Sequence, residues 1–223
     1  MLLDAIVLAG GRSSRLAGVP KAELVWRGQT LLQTAVNTAA DAGSRHVVVV
    51  GPAGGSSVTA LRAEVSAARE DPPFGGPAAA IGAGMAALET FSAASAEAVL
   101  VLACDMPRAA RGVATLVTET LARVDRGDGV IMVDLEGRRQ PLAAVYRRTS
   151  LADAVARLRA SGGLDGGSMR SLIGSMSLAE LIDRGGYTRD VDTWSDAERF
   201  GISTVRSADG STDFSPGERA TQQ

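Results

Sequence analysis

The sequence predicts a single α/β domain built on a doubly wound, mostly parallel sheet. Three observations predict it. Short unbroken apolar runs recur, among them Ala5-Ile6-Val7-Leu8, Val47-Val48-Val49-Val50 and Val99-Leu100-Val101-Leu102, as strands buried on both faces require. Segments of helical spacing alternate with those runs through the first part of the chain, the pattern of parallel strands joined by right-handed crossovers. No internal repeat and no long linker interrupts the series, so one domain is expected over 1–204, followed by a polar tail over 205–223 that reads as disordered.

The elements follow in order. The first strand ends at Leu8 and breaks into Gly10-Gly11. Arg27-Gly28-Gln29 reads as a turn. Thr30 is placed to cap a helix carrying Leu32, Val36 and Ala39 on one face. A strand from His46 to Val50, a weaker one over 64–69 and a Pro/Gly-rich loop through Pro77 come next. Ile81, Met85 and Leu88 then mark a helix, with Ala78, Gly82 and Ala86 as a small face for close packing. A strand ends at Cys104, a helix follows over 109–124, and strands are expected over 129–133 and 142–146. Ser150-x-x-Asp153 resembles a capping box for a helix with Leu151 and Val155. A short helix spans Arg170 and Leu172. Ser195 is placed to cap a last helix, and Trp26, Trp194 and Phe200 read as packing residues.

Composition narrows the function. The 223 residues are 45% hydrophobic and 22% charged, with a net charge of −2. That balance argues against a general nucleic-acid or anionic-membrane partner, so any polyanion site must be local. A single cysteine, Cys104, excludes an internal disulfide and a multi-thiolate metal site. No signal peptide or membrane span fits the sequence, which makes a cytoplasmic location the default expectation.

The organising stretch is Leu8-Ala9-Gly10-Gly11-Arg12-Ser13-Ser14-Arg15, with Pro20-Lys21 after it. Paired glycines let the backbone approach a ligand and aim several N–H groups at one point. Arg12, Arg15 and Lys21 add cationic reach, a combination suited to a polyphosphate. A Walker loop is excluded because Lys21 precedes Ala22, and a dinucleotide fingerprint because the glycines are adjacent. Asp105 follows a buried strand and precedes Met106-Pro107. It suits Mg²⁺, which takes one or two carboxylates with phosphate oxygens and water, or equally a helix cap. Asp190-Val191-Asp192 places two carboxylates on one face of an extended segment.

Leu-Ala-Gly-Gly-x-Ser-x-Arg with a following Lys resembles the signature loop of nucleotidyltransferases, and among these the molybdenum cofactor guanylyltransferases. Gly10 tilts the choice, since relatives acting on sugar phosphates usually carry Ala there. Pro20 stands where the cofactor enzymes usually have Asp. Cys104-Asp105-Met106-Pro107, Asp71 with Gly75-Gly76-Pro77, Gln140-Pro141-Leu142 and Asp190-x-Asp192-Thr193 are similar to further segments of that family, in the same order.

The resemblance implies a Rossmann-like sheet of the nucleotidyltransferase type and GMP transfer from GTP to the phosphate of molybdopterin, with release of pyrophosphate. It assigns nucleotide binding to Leu8, Ala9, Gly10, Gly11, Arg12, Ser13, Lys21, Asp71, Gly76 and Asp105, and charge neutralisation in catalysis to Arg15, Lys21 and Asp105. Mg²⁺ falls to Asp105 and Asp192, and the acceptor to Arg139, Gln140, Pro141 and Asp190. Gly166-Gly167-Ser168-x-Arg170 is a further acceptor candidate. Passing on an unstable product adds an expected transient contact with a molybdoenzyme or chaperone. Two other readings stay open: the same chemistry with another nucleotide or acceptor, and a non-catalytic GTP-binding protein of this fold.

Overall fold

A computed structural model describes residues 1–10, 16–51, 60, 62–91, 96–123 and 127–204. Gly11, Arg12, Ser13 and Arg15 lie outside the described residues, as does the tail. Nine strands are described: β1 (Leu3–Leu8), β2 (Val25–Trp26), β3 (Gln29–Thr30), β4 (Ser44–Val50), β5 (Glu64–Ala68), β6 (Ala98–Ala103), β7 (Gly129–Val133), β8 (Arg139–Arg147) and β9 (Leu178–Ile182). The helices are α1 (Leu31–Asp41), α2 (Gly76–Leu88), α3 (Ala109–Ala122), α4 (Arg148–Ala160), α5 (Met169–Ile173) and α6 (Trp194–Phe200). None of the described helices is long and apolar enough to cross a membrane.

Seven strands form one sheet in the order β5-β4-β1-β6-β8-β7-β9. The pairs β5–β4, β4–β1, β1–β6 and β7–β9 are parallel, while β8 runs antiparallel to both β6 and β7. The apolar runs occupy the centre, where every residue of β1 and β6 is buried, and the charged residue among them, Asp4, is paired with Arg148 at 3.0 Å. One face packs under α1 and α3 through Val7, Val36, Leu100 and Leu116; the other packs under α2 and α4 through Ile6, Ile81, Val101 and Leu151. The doubly wound expectation therefore holds.

Several local expectations change. Of the small face expected on α2, Ala78 and Gly82 are buried, with an added Cβ on Gly82 3.2 Å from the Leu164 side chain, but Ala86 is exposed; the close approach to the sheet is at Gly84, where a Cβ would lie 2.8 Å from the Ile6 side chain. Helix α4 starts at Arg148 with no side-chain cap, and the Ser150 hydroxyl instead donates to Asp128 at 2.6 Å. Thr193 rather than Ser195 caps α6, in a capping box with Asp196. Strand β9 was not expected, because Leu178-Ala179-Glu180-Leu181 is made of good helix formers; parallel pairing with β7 overrides that preference.

A third cluster positions the site. Leu16 and Leu24 from the excursion after β1, with Leu31 at the start of α1, pack against Val191, Ala197 and Ile202, with Trp26, Trp194 and Phe200 around them. The β2–β3 hairpin turns through Arg27 and Gly28, both at positive φ, as a two-residue hairpin loop of the primed type requires. The Trp26 indole donates to the Phe200 carbonyl at 3.1 Å. This packing fastens the 190–192 segment beside Lys21.

Candidate active site

Strands β1 and β6 are neighbours in register, with Leu8 opposite Ala103, and the Cys104 amide donates to the Leu8 carbonyl at 3.0 Å. The chain thus leaves both strands at the same edge, the carboxyl edge where open α/β sheets bind ligands. Gly10 and Asp105 line one cleft of about 830 Å³. Leu8, Ala9, Lys21, Gly76, Gln140, Pro141 and Asp190 line it too. Its mixed lining, apolar with a few convergent charges, is that of a small-molecule site.

Lys21 is the electrostatic centre. It opens a short 3-10 turn over Lys21–Glu23, just after Pro20. Its Nζ donates to Asp105 Oδ2 at 2.8 Å and also to Asp192 Oδ1. Burial opposes the ammonium charge, but the two carboxylates more than offset it, so the Lys21 pKa is raised and the side chain stays cationic. The N-cap alternative for Asp105 is not what the structure shows, since α3 begins after Arg108.

Val191 is buried in the third cluster and its amide donates to the Asp105 carbonyl at 3.0 Å. Alternation then turns Asp190 and Asp192 the other way, toward Asp105. Each of these three carboxylates offers an oxygen within 4.8 Å of the others. Burial, then the like charges of Asp105 and Asp192, push the Asp190 carboxyl above its ordinary range. Crowded acids of this sort call for a cation, and the Lys21 ammonium already lies against two of them. The set fits a hard divalent ion, which takes oxygen ligands of this type. Cys104 is buried, and burial followed by Asp105 pushes its thiol up, so it stays a protonated core residue.

A second cleft of about 640 Å³ adjoins the first, sharing Gln140 and Asp190 with it. Arg139 lines it, paired with Glu180 at 2.8 Å, and so does Asp192. The Gln140 amide donates to Asp134 at 2.9 Å. Of the expected acceptor residues, then, Arg139 faces the second cleft, Pro141 the first, and Gln140 and Asp190 both.

Two expectations do not fit this geometry. Asp71 is exposed and does not line the cleft; its neighbour Glu70 does, with Oε1 accepting from the Phe74 amide at 3.2 Å. Gly166 and Gly167 bond to the start of α2, Gly166 N to Gly75 O at 2.7 Å and Ala78 N to Gly167 O at 3.2 Å. They shape the cleft wall and do not line the second cleft. Sequence reasoning also missed Gly51. A Cβ there would lie 2.9 Å from the Ala9 carbonyl carbon, so glycine at the end of β4 lets the opening loop settle against it. Its signal was only a glycine ending an apolar run.

A mostly parallel sheet with Gly10 just past its first strand, and a lysine and three carboxylates at the same edge, fits a nucleotidyltransferase. The chain belongs to the MobA-like NTP transferase domain family, whose model matches residues 5–180. A probable molybdenum cofactor guanylyltransferase of Opitutus terrae is 36% identical over 157 residues, covering 70% of this chain and 72% of that protein. One from Bacillus cytotoxicus is 33% identical over 146 residues, covering 64% and 67%. Among solved structures, the Rv0371c protein of Mycobacterium tuberculosis superposes with a TM-score of 0.65 at 25% identity, covering 89% of this chain and 97% of that one.

Proposed function

We propose that this nucleotidyltransferase moves GMP from GTP onto the phosphate of molybdopterin, releasing pyrophosphate, in the cytoplasm. The observation that carries the reading is Lys21 held between Asp105 and Asp192 in the cleft that Gly10 opens onto. The names of the two relatives support the choice of nucleotide and acceptor.

The triphosphate would lie over Leu8, Ala9 and Gly10, continuing onto Gly11, Arg12 and Ser13, with Arg15 and Lys21 offsetting its β and γ charge. The nucleoside end falls to the loop before α2, where Glu70 and Gly76 line the cleft and the exposed Asp71 follows Glu70 in the chain. Pro77 and the first turn of α2 add the positive end of a helix dipole there. Asp105 and Asp192, with Asp190 completing the set, would hold Mg²⁺. When bound, that ion supplies charge neutralisation to the triphosphate.

The acceptor phosphate enters past Arg139, Gln140, Pro141 and Asp190. One of its oxygens forms the new bond to the α-phosphorus as the bond to the bridging oxygen breaks, and pyrophosphate carries that electron pair away. The acceptor is already ionised at neutral pH, so no general base is needed; the only histidine, His46, lies elsewhere, stacked on Phe91 and 3.0 Å from Asp4. Positioning and charge stabilisation do the remaining work.

Pyrophosphate release with each of the four nucleoside triphosphates, with and without molybdopterin, tests the reading. Release with GTP only, and only with the pterin, supports it. Release with CTP instead identifies cytidylyl transfer. Tight GTP binding with no product identifies a nucleotide-binding protein.

A further inference from the structure

The second cleft carries an inference that deepens this reading and rests on it. Five arginines line that cleft: Arg108, Arg138, Arg139, Arg184 and Arg189. Two are spoken for, since Arg138 pairs with Asp134 at 2.8 Å and Arg139 with Glu180. Arg108, Arg184 and Arg189 are exposed and make no ion pair with the described residues. They come from two separate places, the start of α3 and the loop after β9.

That loop is built, not incidental. Asp183 is 1% exposed, at the end of β9. Its carboxylate accepts from the amides of Gly185 at 3.2 Å, Tyr187 at 2.9 Å and Thr188 at 2.8 Å, and from the Thr188 hydroxyl at 2.8 Å. The loop folds back tightly: a Cβ on Gly185 would overlap the Tyr187 ring at 2.2 Å. Gly186 stands at φ 62°, and a Cβ there would meet Arg189 Nε at 3.2 Å. Glycines at both positions let the loop close, which leaves Arg184 and Arg189 facing the cleft.

None of the acids lining this cleft forms an ion pair with these three arginines. Asp183 is saturated by its own loop, Asp134 and Glu136 take Arg138, and Asp190 and Asp192 face Asp105 and Lys21. Three guanidiniums exceed what one phosphate needs, because a single bidentate arginine already matches a phosphate edge. We infer that Arg108, Arg184 and Arg189 form the anion-binding wall of an acceptor chamber, and that the acceptor is a polyanion with an anionic group beyond its attacking phosphate. The chamber meets the nucleotide cleft at Gln140 and Asp190, which is where the two substrates would join.

Two measurements on the full chain test this. Steady-state rates with GTP and molybdopterin are compared for wild type, Arg108→Ala and the double variant Arg184→Ala/Arg189→Ala. The expected result is a rise of about tenfold or more in KM for the pterin, with KM for GTP within about twofold, and partial recovery in Arg184→Lys/Arg189→Lys. An unchanged pterin KM, or a GTP KM that rises in step, overturns the chamber.

The second measurement does not depend on turnover. Inorganic phosphate is titrated into the wild-type chain and followed on the arginine Nε–Hε resonances. Saturable shifts at Arg184 and Arg189 are expected. If they occur while wild type yields no product from GTP and molybdopterin, the chamber stands and the proposed acceptor falls. If these resonances do not respond, the chamber is overturned whatever the turnover.

Discussion

Lys21 Nζ lies 2.8 Å from Asp105 Oδ2, although the two residues stand 84 positions apart in the chain. One follows the loop after β1 and the other lies just past β6, so their meeting is a product of strand order. Lys21→Ala and Asp105→Asn are each expected to lower the rate of pyrophosphate release by on the order of a hundredfold or more, the usual loss when a preorganised charge contact is removed. Circular dichroism should be unchanged, because neither side chain belongs to the core. Near-wild-type turnover in either variant rejects the roles given to them.

The three carboxylates predict a metal requirement. Asp192→Asn should raise the Mg²⁺ concentration for half-maximal rate by on the order of tenfold, since site affinity follows ligand charge. Asp190→Asn should act in the same direction, and chelation should stop the reaction. Turnover that persists after thorough chelation contradicts the assignment.

Gly51 predicts a binding defect remote from any charge. Ala at this position must push against the Ala9 carbonyl carbon and the Gly10 amide, which lie 2.9 and 3.1 Å from the new Cβ. Both neighbours are backbone and cannot rotate away. Gly51→Ala should weaken GTP about tenfold by calorimetry, which is about 1.4 kcal/mol. An unchanged affinity shows that the loop's place is not set from β4.

Asp183 predicts a pH-dependent stability. Burial opposes its ionisation, but the hydrogen bonds from Tyr187, Thr188 and Gly185 outweigh burial and hold the carboxyl below its ordinary range. The unfolded chain then takes up a proton that the folded chain refuses. This contribution is complete above the ordinary carboxylate range and is lost as pH falls through it, from about pH 5 to about pH 3. Asp183→Asn should cost roughly 1–3 kcal/mol in urea unfolding at neutral pH, with the gap from wild type closing on acidification. A gap independent of pH contradicts the ionised role.

The sheet was legible where burial is complete. Strands β1, β4 and β6 carry unbroken apolar runs because both faces are covered. Strand β9 was hidden by residues that favour helix, and only its pairing with β7 decides its state. Ser150 had the right spacing for a cap, yet Asp128 takes its hydroxyl. In the site, Gly10, Lys21, Asp105, Asp190 and Asp192 were readable because each sits beside a strand end or a turn with a defined chemistry. Glu70 was overshadowed by its neighbour Asp71, since a Pro/Gly-rich loop does not say which of two adjacent carboxylates lines the cleft. Arg184 and Arg189 were invisible for a related reason: their direction comes from a loop closed by Asp183, a tertiary arrangement with no motif.

The most direct measurement is a crystal structure of the chain with Mg²⁺ and a non-hydrolysable GTP analogue. The account predicts the triphosphate over Gly10, the ion against Asp105 with Asp190 or Asp192, and the Lys21 ammonium moved onto phosphate oxygens. A nucleotide bound away from the β1–β6 edge, or Lys21 still closed onto Asp105 and Asp192 with no ion beside them, would contradict it.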